Sequence, residues 1–117
     1  MNYVDGFVIA VPTANRDVFE KHSRESAVLF KDHGALSVVE CWGDDVPDGK
    51  LTSFPMAVKR EPNETVVFSW VMWPSKAVRD EGWKRIESDP RMNARENPMP
   101  FDGKRMIYGG FQAIVQV

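Results

Sequence analysis

Three stretches of this chain read as β-strands that are apolar on both faces, and this limits its possible folds more than any other feature of the sequence. Successive side chains of a strand point to opposite sides. In Tyr3–Val11 one side carries Phe7, Ile9 and Val11 and the other Val4, Val8 and Ala10. In Thr65–Trp73 the lists are Val67, Ser69, Val71 and Trp73 against Val66, Phe68, Trp70 and Met72. In Lys104–Val117 they are Ile107, Phe111, Ala113 and Val115 against Met106, Tyr108, Gln112, Ile114 and Gln116. A fourth strand, Ala35–Trp42, sets Val39 and Cys41 against Leu36, Val38, Glu40 and Trp42. An antiparallel sheet with one wet face alternates apolar with polar, and these strands do not.

Two helices separate the strands. One is expected from about Ala14 to Asp32, with Thr13 as N-cap and Gly34 just past its end. The other is capped by Ser75 and ends near Ser88-Asp89-Pro90. At 100° per residue, Val18, Phe19, His22, Ser26, Leu29, Phe30 and His33 fall on one arc of the first helix, and Val78, Gly82, Trp83 and Ile86 on one arc of the second. Ser53–Val58 fits a single helical turn, and Arg91–Phe101 is a long irregular stretch. The order is β-α-β-β-α-β, the ferredoxin-like motif of class α+β: a four-stranded antiparallel sheet with two helices on one face. Two helices cover one face only. The other needs the Arg91–Phe101 loop or, more completely, a second copy of the chain packing sheet on sheet as a homodimer.

Composition narrows the class. A length of 117 residues predicts a single domain over 1–117. Four Trp and seven Phe supply more bulk than so short a chain usually buries. Cys41 is the only cysteine, so an intramolecular disulfide is excluded. A net charge of −2 gives no footprint for nucleic acid or an anionic membrane. The longest apolar run, Phe7–Val11, is too short to span a bilayer, and no basic residue precedes it as in a secretory signal. A cytoplasmic location is expected.

The stretch Met99-Pro100-Phe101-Asp102-Gly103-Lys104-Arg105-Met106-Ile107-Tyr108-Gly109-Gly110-Phe111 is distinctive. So are Tyr3-Val4-Asp5-Gly6-Phe7, Glu40-Cys41-Trp42-Gly43-Asp44-Asp45-Val46-Pro47, Glu64-Thr65-Val66-Val67-Phe68-Ser69-Trp70 and Asp89-Pro90-Arg91-Met92. Together with the strand order they resemble the YbaA-like family of small bacterial proteins. The resemblance covers essentially the whole chain. It implies a dimeric α/β barrel, two ferredoxin-like protomers with their sheets face to face, and it implies no activity or cofactor. Fold alone does not fix function.

Several residues are candidates for chemistry. Glu40 lies on a mostly apolar strand face, where desolvation raises a carboxylate's pKa; it is either a general base or an ion-pair partner of Arg105 across the sheet. His22, with Ser26 one turn on, is either an acid or base in a helix–sheet pocket or a backbone-bonded structural histidine. His33 reads as a helix C-terminal cap. The two histidines lie roughly 16 Å apart along the helix, so they cannot share a metal. Cys41 reads as a small hydrophobe, and Asp44, Asp45 and Asp48 as a solvated acidic turn, since their spacing does not fit a calcium loop. Arg105 and Tyr108, beside the Gly109-Gly110 pair and after a loop carrying Arg91 and Arg95, suggest a grip for an anion, with Trp42 as a further contact. The glycine pair marks a bulge or a close approach by a ligand or partner. Two functions follow. One is a homodimer that binds or transforms a small anionic molecule, with Glu40, His22 and Tyr108 as candidate catalytic residues and Arg105, Tyr108, Trp42 and Arg91 as candidate ligand contacts. The other is a non-catalytic interaction or regulatory dimer.

Overall fold

A computed structural model describes residues 1–92 and 98–117. The strands are β1 (Tyr3–Pro12), β2 (Ser37–Trp42), β3 (Glu64–Trp73) and β4 (Ile107–Gln112), and the helices α1 (Arg16–Asp32), α2 (Phe54–Ala57) and α3 (Lys76–Glu87). The strands form one antiparallel sheet in the order β2-β3-β1-β4, the ferredoxin-like arrangement. None of the described helices is long and apolar enough to cross a membrane.

Register sorts the side chains as the alternation requires. Tyr3, Phe7 and Ile9 lie opposite Trp73, Ser69 and Val67 of β3, and Val38, Glu40 and Trp42 of β2 lie opposite Val71, Ser69 and Val67. This face receives α1 and α3. Leu29 and Ile86 bury against Val71 and Trp73, and Phe19 buries against Ile9, Val11 and Val67. At an upper-end value of about 2–3 kcal/mol per fully buried large apolar side chain, these two clusters account for much of the driving force for folding.

The opposite face is only partly covered. The single turn α2 and the residue after it close one end, where Val58 completes a cluster with Val8, Ala10 and Val66 and Phe54 leans on Phe68 at 5.9 Å between ring centroids. Phe68 is nonetheless exposed, as are Ile107 and Phe111, the last at 61%, and Val4, Val39, Cys41, Trp70 and Met72 are half-buried.

The caps are mostly where polar side chains were expected. The Ser75 hydroxyl accepts from the Val78 N–H at 3.2 Å. His33 is the C-cap of α1, and Gly34 follows with φ 108°, a left-handed conformation that favours glycine.

Four expectations are corrected. Thr13 does not cap α1. Its hydroxyl pairs with that of Thr65 at 2.7 Å, a 3-10 turn (Thr13–Asn15) intervenes, and Asn15 takes the N-cap position without a side-chain bond. Val18 is exposed at the edge of the α1 stripe rather than buried in it. The last strand is six residues long, not fourteen: Gly103–Arg105 form a 3-10 turn before it, and beyond Gln112 the Ala113 N–H bonds to Asn2 O at 3.1 Å. The described end of the long loop does not cover the open sheet face, because Phe101 packs against Phe19 on the helix side. Arg95, named above, lies outside the described residues.

Candidate functional site

Where α1 crosses β2 the two elements leave a cavity of about 420 Å³, within the size range of small-molecule sites. Its lining includes Arg16, Phe19 and Arg24 from the helix and Val38, Glu40 and Trp42 from the strand. The spacing explains the composition. On α1 the residues one turn apart beside the buried stripe face this gap, and on β2 the inward positions alternate as Val38, Glu40 and Trp42.

Electrostatics single out two groups. The Arg16 guanidinium sits over the Trp42 ring, 5.3 Å from its centroid, a favourable cation–π contact, and Arg16 has no carboxylate partner among the described residues. Arg24, by contrast, is paired with Glu20 at 2.8 Å. Glu40 reaches solvent through the open cavity, yet protein atoms crowd its carboxyl. That burial pushes its pKa up to about 7, against the opposing effect of a hydrogen bond from Ser69, directly across the strand pair. A carboxyl poised near neutrality can take up or release a proton under ordinary conditions.

Of the sequence candidates, Glu40 and Trp42 line this cavity. His22 lines a smaller adjoining one, with its ring edge-on to Phe101 at 6.5 Å. Three others lie elsewhere. Arg105 does not pair with Glu40 but holds the buried Glu64 and Asp102, because β2 and β4 are opposite edges of the sheet. Tyr108, on β4, is 73% exposed and stacks on Phe7 at 6.5 Å. Arg91 joins Asp32 and Asp89, and Asp89 in turn meets His33 at 2.9 Å, a lock between the C-terminal ends of α1 and α3. The glycine pair is also explained within the chain. Phe111 lies over Gly109 and Gly6, and a Cβ on Gly110 would come within 2.5 Å of the Tyr3 hydroxyl and 3.0 Å of Arg79 Nη2.

Two groups were not read from the sequence. One is Arg16, whose only signal is its place one turn before Glu20 on the flank of the α1 stripe. The other is Asp5, 3% exposed between the helices and the sheet. Asp5 accepts from Trp73 Nε1 and Trp83 Nε1, each at 2.9 Å, and from Arg79 Nη2 at 2.7 Å. Its signal was an acid on the inward side of an otherwise apolar strand. Among the described residues no group of three His, Cys, Asp or Glu side chains is placed to hold a metal ion.

Fold and cavity define an α+β protein of the ferredoxin-like type with a solvent-open cavity between its first helix and edge strand. The chain belongs to the family described as "Protein of unknown function (DUF1428)", whose model matches residues 2–103. It is 58% identical over 115 residues to the uncharacterized protein YbaA of Escherichia coli strain K12, covering 98% of each chain, and equally so to YbaA of Shigella flexneri. Among solved structures it resembles an uncharacterized NIPSNAP-like domain protein from Burkholderia xenovorans. The TM-score is 0.59 at 13% identity, over 97% of this chain and 85% of that one. It also resembles Rv0793 from Mycobacterium tuberculosis, with TM-score 0.54 at 11% identity, over 99% and 98%. At such identities these likenesses speak for the fold alone.

Proposed function

We propose that this chain works in the cytoplasm as a homodimer that binds a small anionic molecule in the cavity between α1 and β2, with Glu40 exchanging a proton with the ligand. One observation carries the reading: the cavity joins a cation without a carboxylate partner among the described residues, Arg16 on Trp42, to a carboxyl whose pKa is raised to about 7. Sites of this kind combine apolar walls with a few convergent polar groups and a perturbed titrating residue. The dimer is supported separately by the apolar sheet face that Phe68, Ile107 and Phe111 leave open.

The test is thermal denaturation in the presence of small carboxylates and phosphates, beside their neutral analogues. Anions are expected to raise the Tm of the wild type by mass action and to lose that effect in Arg16→Gln. Anions that leave the wild-type Tm unchanged would sink the reading.

The positions of Arg105 and Tyr108 away from the cavity favour a second reading, a dimer without a ligand. It expects the same oligomer and no stabilisation by any anion.

A further inference from the structure

Beside the cavity lies an annex of about 110 Å³, also open to solvent. Phe19, Ser23 and Glu40 line both spaces. The annex is walled mainly by hydrocarbon, with Phe7, Ile9, Phe30, Val71 and Met106 among its lining. Polar groups enter from α1, as His22, Ser23 and Ser26, and from two strands, as Glu40 of β2 and Ser69 of β3. The outer space carries the guanidiniums. The two compartments therefore differ in chemistry, and Glu40 and Phe19 stand at their junction.

We propose that the occupant is an amphipathic monocarboxylic acid, its carboxylate held by Arg16 in the outer space and a short hydrocarbon group reaching past Glu40 into the annex. This rests on the small-anion reading above and adds the class of ligand. A single cation stacked on an indole matches one negative charge rather than a phosphate dianion. At about 30 Å³ per water-sized or methylene-sized group, the annex accepts an apolar group of about four carbons. Glu40 stands where the ligand passes. Among the described residues, the titratable or charged groups that share its cavities are Arg16, Glu20, His22 and Arg24, all from α1, while from β3 the Ser69 hydroxyl meets it. With its carboxyl raised to about 7, Glu40 is largely neutral on the acid side of that value, so it neither repels the ligand carboxylate nor holds water against the hydrocarbon.

The experiment is calorimetric titration at pH 6 of the full chain with linear acids from acetate to octanoate, each beside its primary amide. Affinity is expected to rise about fourfold per methylene and to level off once the annex is full. The amides should bind at least tenfold more weakly. Ser26→Leu, which occupies the annex, should flatten the series; if that variant does not fold, the wild-type series decides alone. Acids that bind with no dependence on length would overturn the inference and leave the small-anion reading standing. So would a series of acids that fails to bind while inorganic phosphate does. Amides that bind as tightly as acids, or no binding by any anion, would overturn both.

Discussion

Arg105 grips both oxygens of the Glu64 carboxylate, Nη1 to Oε1 at 2.7 Å and Nη2 to Oε2 at 2.6 Å. This fork ties the turn before β4 to the first residue of β3, and the same Nη1 also donates to Lys59 O at 2.9 Å. Glu64 is 7% exposed, so removing its partner would strand a buried charge. Arg105→Ala is expected to lose about 3 kcal/mol in urea unfolding. Arg105→Lys should recover only part of it, because an ammonium cannot copy the fork. The hydrogen bonds from Arg105 hold the Glu64 carboxyl below the usual carboxylate range. A lowered pKa gives stability that is present above the unfolded-state value and lost as pH falls toward the folded one. The gap between wild type and Arg105→Ala should therefore narrow below about pH 4.5. An unchanged urea midpoint in Arg105→Ala would show that the fork adds nothing.

Asp5 is a comparable anchor on the helix side, since two indoles and a guanidinium converge on one carboxylate. Asp5→Asn turns an acceptor-only group into one that presents an N–H₂ to other donors. The expected loss is about 3–5 kcal/mol, with a change in the near-ultraviolet signal of Trp73 and Trp83. A variant within about 1 kcal/mol of wild type, against that range, would mean the cluster rearranges freely.

The adjacent glycines should respond differently to a methyl group. A Cβ on Gly109 would meet the Phe111 ring at 3.4 Å, whereas one on Gly110 would meet Tyr3 Oη at 2.5 Å and Tyr3 Cε2 at 2.8 Å. The Tyr3 ring is rigid and stacked on Arg79, whose guanidinium is 5.2 Å from its centroid. Gly110→Ala should therefore destabilise by about 1–3 kcal/mol, as overpacking does, and Gly109→Ala by less. Equal Tm values for the two variants would contradict this.

Glu40 gives a pH signature with the opposite sign to that of Glu64. Its folded pKa, about 7, lies above the ordinary 4.5. Between those values the folded chain binds more protons than the unfolded one, so this group lowers stability as pH rises through that window. Glu40→Gln should therefore match wild type near pH 4.5 and have the higher Tm at pH 8. Parallel Tm profiles across that range would rule out a raised Glu40 pKa.

Light scattering is expected to give twice the 13.3 kDa chain mass for the wild type. Phe111→Asp, on the open sheet face, should give the chain mass with the fold intact. A wild type of 13.3 kDa at micromolar concentration would remove the dimer.

Much of the fold was legible because strand faces follow from alternation alone, and the inward lists of β1, β2 and β3 found their helices, whereas that of β4 stayed exposed. What escaped the sequence depended on tertiary partners. Residues 113–117 keep an alternating pattern, yet β4 stops at Gln112 because its template β1 begins opposite it, at Tyr3. Glu40, Arg105 and Tyr108 look compatible in a linear reading. The strand order sends Glu40 to one edge of the sheet and Tyr108 to the other, while Arg105 finds Glu64. Asp5 draws its donors from Trp73, Arg79 and Trp83, far along the chain, so no local pattern could pair them.

The strand order also bears on the timing of synthesis. β1 emerges first from a ribosome and lies between β3 and β4, so its two neighbours are among the later segments to appear. Until then its backbone donors and its apolar sides have no lasting partners. A growing chain should therefore stay sensitive to protease until nearly all of it has been released, and should then fold as one late event rather than piece by piece.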